Sequence, residues 1–148
     1  MAGIRAIATT GELSTGTSAK TLLQLLAASN HRVLLHELMV TFKGTSSTAS
    51  PILVELIRQT AAGTMSASTI NKVDPGVDET LQTTATENAS SEPSGTEVLN
   101  SWLVHPQGGA TWQAQFGGAY VIPGGGRLGI RVTASADVNA TVSATIEE

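Results

Sequence analysis

Residues 128–146 alternate between apolar and polar side chains, and this pattern constrains the fold more than any other feature of the chain. Side chains of a β-strand point in turn to opposite faces, so a period of two predicts a strand with one buried and one solvated face. Two such runs are separated by residues 135–137, and they predict an antiparallel pair of strands. Their apolar positions are Leu128, Ile130, Val132, Ala140, Val142, Ala144 and Ile146.

Shorter apolar-rich runs recur along the rest of the chain, and glycine, proline and asparagine turn signals separate them at intervals of roughly 8 to 15 residues. Residues 20–28 have the composition of a helix, but the Asn30-His31 turn and the β-rich run after it favour a strand. The sequence therefore predicts an all-β protein, an antiparallel β-sandwich or jelly roll of about eight strands.

The chain has 148 residues, a length that suits one domain. Residues 1–18 combine a short extended segment with a stretch rich in glycine, serine and threonine, and we expect them to form an extended N-terminal arm that packs on a neighbouring chain. Residues 19–148 are expected to form the single β-sandwich domain. Within it, residues 61–96 are mostly small and polar, with a strand expected only over 81–86, and they predict an exposed excursion used for contacts.

Two sets of residues give more specific expectations about burial. The strand predicted over 32–43 places the even-numbered residues from Leu34 to Phe42 on one face, and His36 among them is expected to be a hydrogen-bonded core residue. Of the larger aromatic residues, Trp102 is expected in the core. Trp112 and Tyr120 lie next to glycine-rich turns and are better candidates for the surface.

Motifs for catalysis or ligand binding match only weakly. Residues 124–129 fit the letters of a dinucleotide-binding glycine pattern, but they introduce a strand rather than a helix. The three histidines lie in separate segments and cysteine is absent, so no zinc ligand set is suggested. Asp74, Asp78 and Glu79 surround a turn without the spacing of an EF-hand calcium loop.

Because these motifs match so weakly, we expect no catalytic residues, no cofactor and no metal, and therefore not an enzyme. A Ser-His-Asp assembly stays open because such triads are defined by geometry rather than by sequence spacing. A cupin-type jelly-roll enzyme is disfavoured because its metal site requires a tight histidine and glutamate cluster.

Composition adds an argument about partners. Only 14% of the residues are charged, the net charge is −4, and the eight lysine and arginine residues are dispersed. Without a basic stripe to neutralise phosphates, nucleic-acid binding is not expected. No run approaches the roughly 20 apolar residues of a membrane span, so no membrane partner is expected either. Short polar side chains lose little entropy when another protein covers them, which favours a surface that binds neighbouring subunits.

Four segments together resemble a known family: residues 19–25, residues 30–45 around Val40-Thr-Phe-Lys-Gly-Thr, Trp102-Leu-Val-His-Pro-Gln-Gly-Gly, and Pro123-Gly-Gly-Gly-Arg-Leu-Gly. They look like segments of the small β-sandwich head decoration, or cement, proteins of tailed bacteriophages. The resemblance implies a structural virion protein, made in the host cytoplasm, that binds the outer surface of the assembled capsid. It also implies that the protein binds the major capsid protein, associates as a homotrimer and stabilises the capsid by bridging capsomers.

The resemblance further implies which residues touch other subunits. The arm would add a strand to a neighbouring sheet, and the 63–96 excursion and the region around Trp112 would supply side-chain contacts. The expected interface residues are Ile4, Arg5, Ile7, Trp112, Phe116 and Tyr120. The alternative is a carbohydrate- or receptor-binding β-sandwich module of a virion, which requires exposed aromatic rings in a shallow groove.

Overall fold

The computed structural model describes residues 3–45 and 50–148. These residues form β-strands and no helix, which confirms the prediction of an all-β protein. Thirteen strands are present in the described residues: β1 (Arg5–Thr9), β2 (Leu13–Ser14), β3 (Lys20–Leu26), β4 (Val33–Lys43), β5 (Ile52–Gln59), β6 (Thr64–Ala67), β7 (Thr69–Lys72), β8 (Thr84–Ser91), β9 (Glu97–Val104), β10 (Gly109–Gln113), β11 (Tyr120–Ile122), β12 (Arg127–Thr133) and β13 (Asn139–Glu147).

The strands are arranged in two antiparallel sheets that pack as a sandwich. The seven-stranded sheet has the order β10-β4-β13-β1-β7, with β11 also paired to β4 and β2 to β13. The six-stranded sheet has the order β6-β8-β3-β12-β5-β9. A sandwich of two antiparallel sheets is thus confirmed, whereas a jelly-roll connectivity is not.

The terminal strands β12 and β13 have the predicted alternation but do not pair with each other. β12 lies between β3 and β5 in the six-stranded sheet, and β13 lies between β1 and β4 in the seven-stranded sheet. Their apolar side chains, including Leu128 and Ile146, are fully buried in the core between the sheets. The predicted antiparallel pair is therefore wrong, because the connection over 134–138 crosses from one sheet to the other.

The amino-terminal segment is also part of the sandwich. β1 pairs with β13 on one side and with β7 on the other, so it is an internal strand of the seven-stranded sheet. Ala6 and Ala8 are completely buried. The prediction of an extended arm is thus not confirmed, since Arg5–Thr9 takes its hydrogen bonds within this chain rather than from a neighbour.

An irregularity in β4 changes the predicted face of His36. The pairing of β13 with β4 shifts between Thr145 and Ile146, so that one residue of β4 is skipped. Such a bulge reverses the alternation of side chains. Leu35 before it and Leu38 after it both point into the core, whereas Leu34 and His36 are only partly buried. His36 is hydrogen-bonded, to Glu147, but it is not the core residue that strict alternation predicts.

Residues 61–96 contain three strands instead of a single one at 81–86. β6 extends the six-stranded sheet beyond β8, and β7 extends the seven-stranded sheet beyond β1. Ser68 lies between them, where its hydroxyl oxygen is within hydrogen-bond distance of two acceptors, the Thr9 carbonyl oxygen at 2.9 Å and Glu87 Oε2 at 2.8 Å. The predicted excursion therefore joins the two sheets along one side of the sandwich.

A buried polar network stabilises the six-stranded sheet and was not expected from the sequence. Gln24 Nε2 donates to Gln59 Oε1 at 2.6 Å, and Gln59 Nε2 donates to Thr21 Oγ1 at 2.8 Å. The backbone and hydroxyl of Thr21 both donate to the Glu92 carboxylate. Gly129 lies beneath this network, and a Cβ atom there would collide with the side chain of Gln59.

Candidate interaction surface

The side of the sandwich formed by β9, β10, β11 and the loop 114–119 concentrates the aromatic residues, and we refer to it as the aromatic side. β9 ends the six-stranded sheet, while β10 and β11 both pair with the outer side of β4 in the other sheet. Asn100 on β9 donates its side-chain amide to Tyr120 Oη on β11 at 3.2 Å. The open edges of both sheets therefore meet here.

Three of the four aromatic residues on this side close the core instead of projecting outward. Trp112 is paired in register with the core residue Leu38, and Tyr120 with Leu35. Their ring centroids are 4.7 Å apart at an interplanar angle of 36°. Trp102 lines the same small cavity as Trp112, and all three aromatic residues are partly buried against the core. The prediction that Trp102 contributes to the core agrees with this packing, and the paired rings do not form an open platform.

Phe116 is the aromatic residue that this side exposes completely. Its relative exposure is 111%, as for a side chain that touches nothing else in the protein. It lies in the loop between β10 and β11, where Gly117 has a φ of +72° and the Gly118 amide donates to the Gln115 carbonyl at 2.6 Å. A short hydrogen-bonded turn thus presents the ring to solvent, at a position predicted for an interface.

The edge strand β9 exposes two further apolar residues that the sequence analysis did not select. Leu103 is 72% exposed and Val98 is 42% exposed. Leu103 is paired in register with Leu53, so both lie on the outer face of the six-stranded sheet. The signal was present in the alternation: Trp102 and Val104 point toward the core, so Leu103 between them points outward.

The predicted interface residues near the amino terminus lie elsewhere. Arg5 and Ile7 belong to β1, which is separated from β10 by β13 and β4 in the strand order. At the strand spacing of about 4.8 Å, the two groups lie well over 10 Å apart across the sheet. The fold therefore does not bring Ile4, Arg5 and Ile7 together with Trp112, Phe116 and Tyr120.

A groove of about 680 Å³ opens beside the start of β1. Apolar side chains from Ile4, Val73 and Val77 line it together with Arg5 and His31. The Glu148 carboxylate at its rim accepts hydrogen bonds from the Gln82 amide and from the amide and hydroxyl of Thr83, so it is already occupied. The groove is lined by apolar, basic and acidic groups together, so its lining does not favour one class of ligand.

Glu147 is held at the end of β13 by groups from two other strands and the amino-terminal segment. The Gly3 amide donates to Glu147 Oε1 at 3.1 Å, and this hydrogen bond is the main reason that the pKa of Glu147 lies below its ordinary value of 4.5. His36 Nε2 lies 3.0 Å from Oε2 and lowers the pKa further, as does Arg5 at 3.9 Å. These contacts fasten the start of β1 and the bulge of β4 to β13.

We expect Glu147→Gln to change how stability depends on pH. Because the folded pKa is lowered, the ionised carboxylate stabilises the protein above the unfolded value of about 4.5, and this contribution is lost as the pH falls through the folded pKa. The free energy of unfolding of the wild type should therefore fall more steeply below about pH 4.5 than that of the variant. Urea unfolding across that range measures it, with Glu79→Gln in an exposed loop as control. Parallel profiles for wild type and Glu147→Gln would contradict the assignment.

Neither metal-binding clusters nor membrane-spanning helices are present in the described residues, and no known protein points to a further site. Residues 3–45 and 50–148 contain no group of three or more histidine, cysteine, aspartate or glutamate side chains arranged to hold a metal ion. In the same part of the chain, no helix is long and apolar enough to cross a membrane. Comparison with protein-family models, with curated proteins and with solved structures finds no match. The aromatic side is thus the candidate functional surface that the geometry itself provides.

Proposed function

We propose that this protein is a structural virion protein that binds the outer surface of an assembled phage capsid and stabilises it by bridging capsomers. The observation that carries the proposal is the aromatic side, where the fully exposed Phe116 projects from the loop between β10 and β11 and the exposed Leu103 from the edge strand β9. Exposed apolar residues on a surface of low charge favour binding to another protein. Aromatic residues in particular are frequent anchors of protein interfaces.

In this proposal the chain acts as a homotrimer whose subunits contact several capsomers of the major capsid protein at once. Multivalent attachment converts the later contacts into intramolecular ones and strengthens binding by about 10²- to 10⁴-fold without any new type of contact. Separating capsomers would then require breaking these bridges. The same proposal includes a jelly-roll connectivity for the sandwich. It also includes contacts of the amino-terminal segment with a neighbouring subunit, through the outer face of β1, where Arg5 is exposed.

The alternative of carbohydrate or receptor binding receives less support from the geometry. Sugar-binding platforms present aromatic faces to solvent. Here Trp112 and Tyr120 pack against the core, and Phe116 is the aromatic ring left exposed on this side. Specific binding in a glycan array, combined with no binding to capsids, would favour the alternative.

Co-sedimentation with capsids of the phage that encodes this chain tests the proposal directly. We expect the protein to sediment with assembled capsids and to remain in the supernatant with unassembled capsid protein. Equal binding to both, or no binding to either, would overturn the proposed function.

Replacing Phe116 should weaken capsid binding while leaving the fold intact. A central aromatic anchor contributes about 2 kcal/mol or more to an interface, so Phe116→Ser should raise the Kd about thirtyfold. Its melting temperature should stay close to that of the wild type because the ring contacts nothing within the protein. Gln115→Ser is the matched control, because Gln115 lies in the same loop and its side chain is also exposed. Unchanged capsid affinity in Phe116→Ser would remove the loop from the interface.

A further inference from the structure

Phe116 has no binding site within its own protomer. Its ring is completely exposed in the loop 114–119, between β10 and β11. The other residues of this loop are alanine, glycine and glutamine, so no charge surrounds the ring. An aromatic side chain is the largest apolar group that a loop can present, and it gains free energy when a partner removes it from water. The loop is therefore suited to enter an apolar recess of another molecule.

The groove beside the start of β1 has a size and a lining that suit one aromatic ring. Its volume of about 680 Å³ lies in the range of pockets that bury small organic ligands. Ile4, Val73 and Val77 provide its apolar surface, and Val73 is 53% exposed. The Val73 amide donates to the Arg5 carbonyl oxygen at 2.8 Å, which holds these two residues side by side. The exposed Arg5 guanidinium can then lie over the face of a ring in contact with Val73, a favourable cation–π arrangement.

The groove and Phe116 lie toward opposite edges of the seven-stranded sheet. The Phe116 loop joins β10 to β11, which both pair with β4, whereas the groove adjoins β1 and the end of β7. Three strand spacings of about 4.8 Å, roughly 14 Å in total, separate β1 from β10. The complete exposure of Phe116 shows that the ring does not enter the groove of its own protomer. The two features can therefore meet only between separate copies of the chain.

We propose that Phe116 of one copy inserts into the groove of a second copy, so that the subunits associate head to tail. A second copy provides both halves of the contact, whereas a foreign partner would have to supply a ring for the groove and a separate pocket for Phe116. A contact between two different patches is heterologous, and its repetition closes a ring of subunits if the rotation permits. The inference rests on the homotrimer of the proposed function and names the residues that join its subunits.

The contact is expected to be weak when it forms singly. A buried phenylalanine contributes about 150–250 Å², roughly a quarter of the ~800 Å² per partner in a standard stable interface. The rest of the area must come from the loop around the ring and from the 73–79 turn beside the groove. Closure of a ring holds every subunit by two contacts, which strengthens the assembly. Loss of Phe116 would also weaken attachment to capsids, because separate subunits bind without this gain.

Sedimentation equilibrium of the full-length protein over a range of concentrations tests the inference. We expect the wild type to form trimers whose population grows with concentration. Phe116→Ser and Val73→Asp should each raise the Kd of self-association at least about tenfold. Their melting temperatures should stay close to that of the wild-type protomer, because both side chains are exposed. The matched controls Gln115→Ser and Val98→Asp change other exposed residues and should associate like the wild type.

A mixture of the two defective variants distinguishes a head-to-tail contact from other modes of association. Phe116→Ser retains the groove and Val73→Asp retains the ring, so the mixture should form heterodimers of one copy each that do not grow further. A wild type that stays monomeric at every concentration would overturn the inference. Variants that associate as strongly as the wild type, or a mixture that forms no heterodimer, would overturn it as well.

Co-sedimentation with capsids separates this inference from the proposed function. If the wild type is monomeric and still sediments with assembled capsids, the head-to-tail contact is wrong and capsid binding stands. If the copies associate through Phe116 and Val73 but do not sediment with capsids, the head-to-tail contact stands and the proposed capsid function is wrong.

Discussion

Ala8→Asp is expected to reduce the free energy of unfolding by about 4 kcal/mol or more, enough to unfold most of the protein. Ala8 is completely buried in β1, where it is paired in register with Ala144 of β13 and Ile70 of β7. An ionised carboxylate at this position would lose its hydration without gaining a partner. Circular dichroism and chemical denaturation measure the effect.

Thr9→Asp is the control for this prediction because it introduces the same side chain one residue later on the same strand. Thr9 is exposed on the outer face of the sheet, so the expected loss is within about 1 kcal/mol. If both variants melted like the wild type, β1 would be a dispensable arm, as the sequence alone suggested. A large difference between them would establish β1 as an internal strand.

Leu56→Ala is expected to cost about 2–5 kcal/mol of stability through the loss of buried contacts and the cavity left behind. Leu56 is completely buried in β5, in register with Ile130 of β12 on one side and Asn100 of β9 on the other. Its side chain therefore fills the centre of the core between the sheets. Urea denaturation with a constant m-value would report the difference directly.

The same substitution at Leu103 is the matched control on the neighbouring strand. Leu103→Ala removes an equal number of carbon atoms from a side chain that is 72% exposed, so stability should change by no more than about 0.5 kcal/mol. Equal losses at Leu56 and Leu103 would show that β9 is covered within the monomer. That outcome would also remove Leu103 from the proposed interaction surface.

Local patterns predicted where strands occur better than they predicted which strands pair with each other. The alternation over 128–146 correctly indicated β12 and β13 and their buried residues, but the two strands lie in different sheets. Alternation reports only which side chains are buried, and residues facing each other across a sandwich have the same pattern as residues paired within one sheet. Residues 20–26 were correctly predicted as a strand against their helical propensity, because packing decides such cases.

The candidate surface was predicted only in part. Phe116 was expected at an interface and is fully exposed. Trp112 and Tyr120 had the same turn-rich surroundings but point toward the core, since register with β4 fixes their direction. The alternation indicated that Leu103 points outward, but not that β9 ends a sheet, and an outward leucine matters for binding only on such an edge strand.

The sequence by itself determined that this chain folds into β-strands with a low charge and no concentrated basic region, because alternation and composition are properties of neighbouring residues. Only the tertiary structure decided that β1 is internal, that residues 61–96 join the two sheets, and that β9 is left open at an edge. Strand partners are chosen by contacts between residues far apart in sequence, and their energies depend on the whole set of buried neighbours. A strand can therefore be identified as the edge of a sheet only when the pairing partners of all the other strands are known.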